Sequence, residues 1–378
     1  MMPSERHAAT GPSGPCSTGF ARSPERRAYR RVLIIKPSSL GDIVHALPVL
    51  AALRASYPKA HIAWLVGVGF APLLENHPML DEVIPFDRQR FGRMLLSTRA
   101  CRAFLELLIH LRRRRFDLVI DLQGLIRSGF LSWAAGGRQR IGFAAARELA
   151  ALFYSRRVRC PGTPHHAVDR NLCIARALGL TVTAPEFPLG LHAEEIQAAR
   201  LKLDRLAPSL GNGFIALLPG ARWESKRWPA RRWAELIGRI SDEGGPACVL
   251  LGAGADTEAA EQVLAHCSAP VLNLVGKTGL RELVALLHLA QAVVCHDSGP
   301  MHLAAALNRP TVAIFGPTDP ARTGPYSPRA RIVSAPLDCA PCRRRKCPLK
   351  HGRCLADLPV EPVLAELRTV LRTSCHTG

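Results

Sequence analysis

The chain has 378 residues, 48% of them hydrophobic, and its 50 Lys and Arg against 30 Asp and Glu give a formal net charge of +20. That hydrophobic content excludes a mainly disordered protein, and the length favours two domains over one core. The charge predicts a surface that attracts polyanions such as nucleic acid, anionic lipid or phosphorylated ligands.

Residues 1–29 are rich in Pro, Gly, Ser and Arg without an apolar leader core, which predicts a disordered basic tail. No apolar run is long enough to span a bilayer. Cytoplasmic residence is the expectation, and with it 12 cysteines held mostly as reduced thiols. Residues 31–36 (RVLIIK) read as a buried strand, broken by Pro37-Ser38-Ser39-Leu40-Gly41-Asp42. A helix is expected over 43–57, with Pro58 just past its end. This first strand–helix turn lacks the G-x-G-x-x-G dinucleotide fingerprint. Strands follow at 61–66 and 82–86, a basic helix at 93–115, a strand at 117–122 and the turn Gln123-Gly124. A helix at 125–134, a strand at 139–143 and a helix at 165–180 complete the first half. Alternating strands and helices predict a parallel sheet covered on both faces.

Pro185-Glu186-Phe187-Pro188 reads as a linker, after which the alternation restarts. The strand 214–218 ends in Pro219-Gly220-Ala221-Arg222, and a basic aromatic loop, 223–229, precedes a helix at 231–243. Then come a strand at 247–251, the turn Gly252-Ala253-Gly254, a helix at 257–266, a strand at 271–275 and a helix at 280–290. The stretch 292–320 is the clearest unit: an apolar run, the turn His296-Asp297-Ser298-Gly299-Pro300, a helical pattern over 301–307, and a second apolar run ending at Gly316-Pro317-Thr318-Asp319-Pro320. Asp297 or Ser298 suits the N-cap and Pro300 the first turn. A helix N-terminus at a strand's carboxyl end favours phosphate, and an ordinary buried cap is the plainer alternative. A last helix is expected at 363–371, packing back across the cleft. Two doubly wound α/β domains facing a cleft follow, at 30–185 and 186–358, with a C-terminal helical segment at 359–378.

Four segments together resemble the bacterial lipopolysaccharide heptosyltransferases, inverting family-nine glycosyltransferases with a GT-B fold. They are 32–48 (VLIIKPSSLGDIVHALP), 117–128 (DLVIDLQGLIRS), 217–228 (LLPGARWESKRW) and 295–320, spread over about three quarters of the chain. The resemblance implies transfer of heptose from ADP-L-glycero-D-manno-heptose to the Kdo/heptose inner core of lipopolysaccharide, with no metal required. It places the nucleotide sugar in the C-terminal half and the acceptor in the N-terminal half. A lipid-linked, anionic acceptor implies an enzyme working at the inner face of the inner membrane. Another GT-B transferase with a different nucleotide sugar is one rival. A basic nucleic-acid-binding protein is another, against which stand the lack of any helix-turn-helix, RNP or zinc-finger pattern and the 6% aromatic content.

Glycosyl transfer from a nucleotide diphosphate needs a base for the acceptor hydroxyl, positive charge for the leaving group and a groove for the nucleoside. Asp42 is the candidate base; by spacing alone it is equally a helix cap, and the family's matching Asp favours the base. Ser298 and Gly299 at the helix start, with Asp297, Lys226 and His302, are the candidate diphosphate site. Lys226 matches the family's phosphate-binding Lys, whereas a charge run by itself is usually a solvated loop. His302 is otherwise a core or capping histidine. Asp256 is the candidate ribose ligand, in competition with Glu258 and with a capping role. Ala221 and Arg222 stand where the family carries small hydroxyl residues. Cys339, Cys342, Cys347 and Cys354 read as free thiols in a structured loop; their C-x2-C start, with His351 as a spare ligand, makes a structural Zn²⁺ the alternative. Cys101, Cys160, Cys173, Cys248, Cys267 and Cys295 read as small core residues. The basic runs 112–115 and 343–346 are solvated faces or contacts to anionic lipid.

Overall fold

The computed structural model describes residues 28–93, 97–162, 166–208, 210 and 213–374. The tail expected at 1–29 therefore lies outside the described residues up to residue 27, as does His165.

The first half holds strands β1 (Arg31–Ile35), β2 (His61–Gly67), β3 (Glu82–Phe86), β4 (Leu118–Asp121), β5 (Gln139–Phe143) and β6 (Arg156–Val158). Its helices are α1 (Leu40–Val44), α2 (Leu47–Ser56), α3 (Ala71–Leu74), α4 (Arg88–Phe91), α5 (Thr98–Arg113), α6 (Ile126–Ala134) and α7 (Ala167–Ala177). The second half holds β7 (Phe214–Leu218), β8 (Ala247–Leu250), β9 (Val271–Asn273), β10 (Ala292–His296), β11 (Thr311–Phe315) and β12 (Ala330–Ser334). Its helices are α8 (Ala193–Leu206), α9 (Ala230–Asp242), α10 (Thr257–His266), α11 (Leu280–Leu289), α12 (Gly299–Ala306), α13 (Pro320–Thr323), α14 (Arg353–Ala356) and α15 (Val360–Ser374).

Each half is one six-stranded parallel sheet, in the orders β3-β2-β1-β4-β5-β6 and β12-β11-β10-β7-β8-β9. Counted within its own half, the second order is the same as the first, so the chain repeats one doubly wound topology. In such sheets the direction of winding reverses between the first and fourth strands, and ligands bind outside the carboxyl ends there. Here the switch points are β1/β4 and β7/β10. The central strands β7, β10 and β11 are buried along their whole length, as strands covered by helices on both faces must be.

Several expectations needed correction. The helix expected over 43–57 is two helices, α1 and α2, separated at His45-Ala46. Pro48 explains the break, because it has no N–H to continue the ladder to Val44. Helix α8 was not anticipated from its polar composition. Its signal is short: Glu195 accepts from the His192 N–H at 2.9 Å, and Ala199 and Leu203 are buried. The edge strands β6 and β12 carry exposed Arg residues and so lack an apolar run. Helix α15 lies on the second sheet instead of crossing the cleft: Val360, Val363, Leu364, Leu367 and Val370 share a core with Ile314 and Val333. Cys160 and Cys173 are joined by a disulfide instead of being free, and Cys101 is exposed. Cys248 and Cys295 are buried thiols, as expected.

The halves are tied behind the cleft. Arg281 of α11 donates to the carbonyls of Leu189 (2.8 Å) and Gly190 (2.7 Å) in the connecting segment, and of Leu73 (3.3 Å) in the first half. It also pairs with Glu195. His77 bonds the Pro188 carbonyl at 2.9 Å. No helix among the described residues is long and apolar enough to cross a membrane.

Candidate active site

A cleft of about 570 Å³ opens between the two sheets. Asp42, Ala221, Arg222, Lys226, Asp256, Asp297, Ser298, Gly299 and His302 all line it. Four elements bring them there: the β1–α1 turn, the β7–α9 loop and the β10–α12 turn, each at a switch-point strand, and the β8–α10 turn, which carries Asp256.

Asp42 is the third residue of α1. Its Oδ2 accepts from the Ser39 backbone N–H (3.0 Å) and hydroxyl (2.7 Å), completing a capping box. Its Oδ1 lies 3.5 Å from Lys36 Nζ, and the side chain is 46% exposed to the cleft. Burial works to raise its pKa, but Lys36 and the two Ser39 bonds outweigh burial and hold the carboxyl below its ordinary value. Asp42 is therefore an ionised carboxylate at the cleft wall, with Oδ2 fixed by the cap and Oδ1 beside Lys36. Lys36 is buried and donates to the Leu122 carbonyl at 3.0 Å.

Across the cleft, Lys226 Nζ sits 2.6 Å from Asp297 Oδ2 and 3.3 Å from the Asp297 carbonyl. It also lies 4.6 Å from the centre of the Trp223 ring, a cation–π contact. Asp297 thus acts on Lys226, holding the ammonium at the cleft wall. Ser298 is the residue before α12, yet its hydroxyl makes no capping bond. Ser298 Oγ and Thr318 Oγ1 are both buried and unpartnered while lining the cleft. Buried hydroxyls normally find a partner, so these two are free to meet a ligand oxygen. The first-turn N–H groups of α12 add donors at the same place.

His302 reaches the cleft but is not a cation. Burial, above the opposing pull of Asp297 and Asp42, pushes its pKa down to about 4. Its Nδ1 is 2.9 Å from His45 Nε2. His45 is also held neutral, by burial and then by the neighbouring His302 and His166. His296 stands at the end of β10, where its Nε2 accepts the Trp228 N–H at 2.8 Å and so anchors the loop that carries Lys226. Burial pushes its pKa to about 4 as well.

Asp256 Oδ2 accepts the Ala253 N–H at 3.0 Å, and the Asp256 side chain packs where a Cβ at Gly220 would stand. Asp256 is therefore both a cap and a cleft residue. Its competitor Glu258 is exposed and does not line the cleft. Ala221 shapes the loop through its carbonyl, which accepts from Arg227 Nε at 3.0 Å. Sequence reasoning missed Ser39, His45, His296 and Arg170. Arg170 stacks on Phe143 at 4.4 Å. Burial and then the charges of Arg147 and Arg322 lower its pKa, against the pull of Asp42. No motif flags such a residue, because helix α7 is placed near Asp42 only by the fold. The thiols of Cys339, Cys342, Cys347 and Cys354 are free. Among the described residues no group of three or more His, Cys, Asp or Glu could hold a metal ion, so the zinc alternative there is not supported.

The comparisons with known proteins agree with this geometry. The family model described as glycosyltransferase family 9 (heptosyltransferase) matches residues 104–352. Lipopolysaccharide heptosyltransferase 1 of Pseudomonas aeruginosa is 34% identical over 346 residues, covering 89% of this chain and 94% of the relative. The structure of Escherichia coli ADP-heptose lipopolysaccharide heptosyltransferase II superposes with a TM-score of 0.75 at 28% identity, covering 91% of this chain and 99% of that one. The Escherichia coli heptosyltransferase WaaC, solved with ADP, gives a TM-score of 0.74 at 30% identity, covering 90% and 99%. On its sequence, its paired parallel sheets and its cleft, this chain belongs to glycosyltransferase family 9, the heptosyltransferases.

Proposed function

We propose that the protein transfers L-glycero-D-manno-heptose from ADP-heptose to the Kdo/heptose inner core of lipopolysaccharide, with inversion at the anomeric carbon. The observation that carries this is the pairing of an ionised Asp42 on one wall with Lys226 and two unpartnered hydroxyls on the other. The acceptor occupies the half at 30–185 and the donor the half at 186–358. The acceptor hydroxyl gives its proton to Asp42 Oδ1 as its oxygen bonds to the anomeric carbon. The bond from that carbon to the diphosphate oxygen breaks, and ADP leaves with the electron pair. Lys226, Ser298 Oγ, Thr318 Oγ1 and the α12 N-terminus take up the charge on the departing diphosphate. Asp256 is the ribose ligand in this reading, and Arg222 a further cation near the phosphates. No step calls for a metal.

Arg170 is close enough to Asp42 to feel its charge, and Arg147 and Arg322 add positive charge near Arg170. That suits an acceptor bearing carboxylates and phosphates. A lipid-linked acceptor places the enzyme peripherally on the cytoplasmic face of the inner membrane.

A thermal-shift panel of ADP, UDP, GDP and CDP tests the donor, followed by turnover of the matching nucleotide sugars on Kdo-lipid A and heptosyl-Kdo-lipid A. ADP should raise Tm most, and ADP-heptose should turn over on one of the two acceptors. A larger shift with another nucleotide, matched by turnover of its sugar, would replace ADP-heptose as donor.

A further inference from the structure

A second cavity, of about 480 Å³, lies in the N-terminal half outside the catalytic cleft. Its walls are Phe86 at the end of β3, Phe91 on α4, Phe104 on α5, Ile126 and Phe130 on α6, and Phe153. The rings form a connected series: Phe86–Phe91 at 5.1 Å, Phe91–Phe104 at 5.4 Å, Phe104–Phe130 at 6.4 Å and Phe130–Phe153 at 6.3 Å. Apart from Arg88 and Arg127 the lining is apolar and aromatic, with no acceptor side chain to orient a sugar or a nucleotide. It fits a hydrocarbon chain.

The rim has the opposite character. Arg88, Arg93 and Arg127 line a groove that adjoins the cavity through shared residues, and Arg90 and Arg99 line the next. These five arginines form no ion pair among the described residues. The nearby acids are already engaged by backbone: Asp87 accepts from Gln89 and Arg90 N–H, and Glu148 from Ile126 N–H. Beside the cavity, Leu105 and Ile109 stand one turn apart on α5 at 52% and 50% exposure, and Trp133 on α6 is 55% exposed. Trp133 lies 5.8 Å from Phe130. Exposed Leu, Ile and Trp beside unpaired Arg is the pattern of a surface that lies in a membrane interface.

Position supports the same partner. The strands of this sheet are parallel, so β1, β3 and β4 open their carboxyl ends to one edge. Asp42 follows β1, the cavity wall begins at the end of β3, and Ile126 follows β4. The cavity is therefore on the same edge as the proposed base.

We infer that this cavity takes an acyl chain of an anionic bilayer lipid, with the lipid phosphate on the arginine rim, and that it docks the enzyme where its acceptor is embedded. The inference rests on the membrane-borne acceptor proposed above and names the surface that engages the bilayer.

The test uses the full chain, sedimented with vesicles of phosphatidylcholine alone or with phosphatidylglycerol, and the variant Leu105→Glu/Ile109→Glu. Both residues are exposed, so the fold should persist, as checked by an unchanged Tm shift with ADP. Wild type should bind the anionic vesicles and the double variant at least ~10-fold more weakly, since apolar area is lost and two charges of the lipid's sign are gained. Turnover on a deacylated, water-soluble acceptor should be the same for both. Vesicles with brominated acyl chains should quench the emission of wild type, and the quench should vanish in Trp133→Phe. Equal vesicle binding by wild type and the double variant overturns the cavity as the docking site while leaving the membrane reading intact. No vesicle binding by wild type overturns both. A concentration-dependent dimer that the double variant abolishes, without vesicle binding, would assign this face to a second copy of the chain. Loss of turnover on the deacylated acceptor in wild type counts against the transferase reading alone.

Discussion

His302 Nδ1 and His45 Nε2 lie 2.9 Å apart, joining a helix of the C-terminal half to the end of α1 in the N-terminal half. Both imidazoles are neutral, so one of these nitrogens donates and the other accepts. The contact is close because Gly41 leaves room for it. A Cβ at Gly41 would stand 2.3 Å from His302 Cδ2.

Gly41→Ala is therefore expected to displace the His302 ring from His45. The cost should be about 1–3 kcal/mol, the scale of an overpacked core. Denaturant unfolding measures it. Adding His302→Ala to Gly41→Ala should recover part of the loss, a coupling that a double-mutant cycle reads directly. Additive losses would mean that the ring is not the obstacle.

The neutral histidines also predict a pH dependence. His296 and His302 are pushed down to about 4 by burial, and His45 well below its ordinary value. As pH falls below about 6.5 the unfolded chain binds protons that the folded chain refuses. Stability should then drop with falling pH, by about 1.4 kcal/mol per pH unit for each such group, until the folded pKa is reached. Urea titrations at pH 7 and pH 5 check this. His302→Gln should flatten the slope by roughly one proton. An unchanged slope would show that His302 is protonated in the fold.

Lys226→Ala should weaken ADP binding by roughly 1.5–3 kcal/mol, the scale of a hydrogen bond to a charged group. It also uncovers the buried Asp297 carboxylate beside the diphosphate. Calorimetry with ADP decides it. Wild-type affinity in the variant would reduce the loop to scaffolding.

The segment 117–128 has a scaffolding role that can be separated from the site. Asp121 is fully buried and accepts from Tyr154 Oη (2.6 Å), Gln123 N–H (2.8 Å) and Gly124 N–H (3.1 Å). Burial raises its pKa against the pull of those bonds. Tyr154→Phe removes one donor and should destabilise the fold by about 1–3 kcal/mol. ADP affinity should not change, because Tyr154 lies in the other half. A loss of ADP affinity at unchanged stability would contradict this division.

Much of this architecture was legible from period and punctuation. The apolar runs of β1, β7, β10 and β11 and the Gly/Pro/Asp turns after them place the cleft residues at strand ends without any contact information. What escaped was set by tertiary context. Pro48 splits a continuous apolar pattern into α1 and α2. The edge strands β6 and β12 pair without an apolar run to announce them. Helix α8 is held by a cap and two buried residues. The same limit applies at the site. Asp42 and Lys226 stand out as candidates because each sits in a distinctive turn, and the fold brings both to the cleft. His45, His296 and Arg170 act through neighbours distant in sequence, which spacing does not reveal. Spacing leaves His302 open between a phosphate donor and a core histidine, and only the fold shows a buried, neutral ring bonded to His45.

The central claim is that Asp42 takes the acceptor's proton from across the cleft. Asp42→Asn keeps the size of the side chain and removes its basicity, and an amide oxygen can still accept from the Ser39 N–H. Single-turnover transfer from ADP-heptose, measured beside ADP affinity and Tm, is the direct test. The account predicts a fall in transfer of roughly 10²–10⁴-fold, the usual contribution of a general base, with ADP affinity and fold retained. Near-normal transfer with a Tm several degrees lower would show Asp42 to be a helix cap and nothing more.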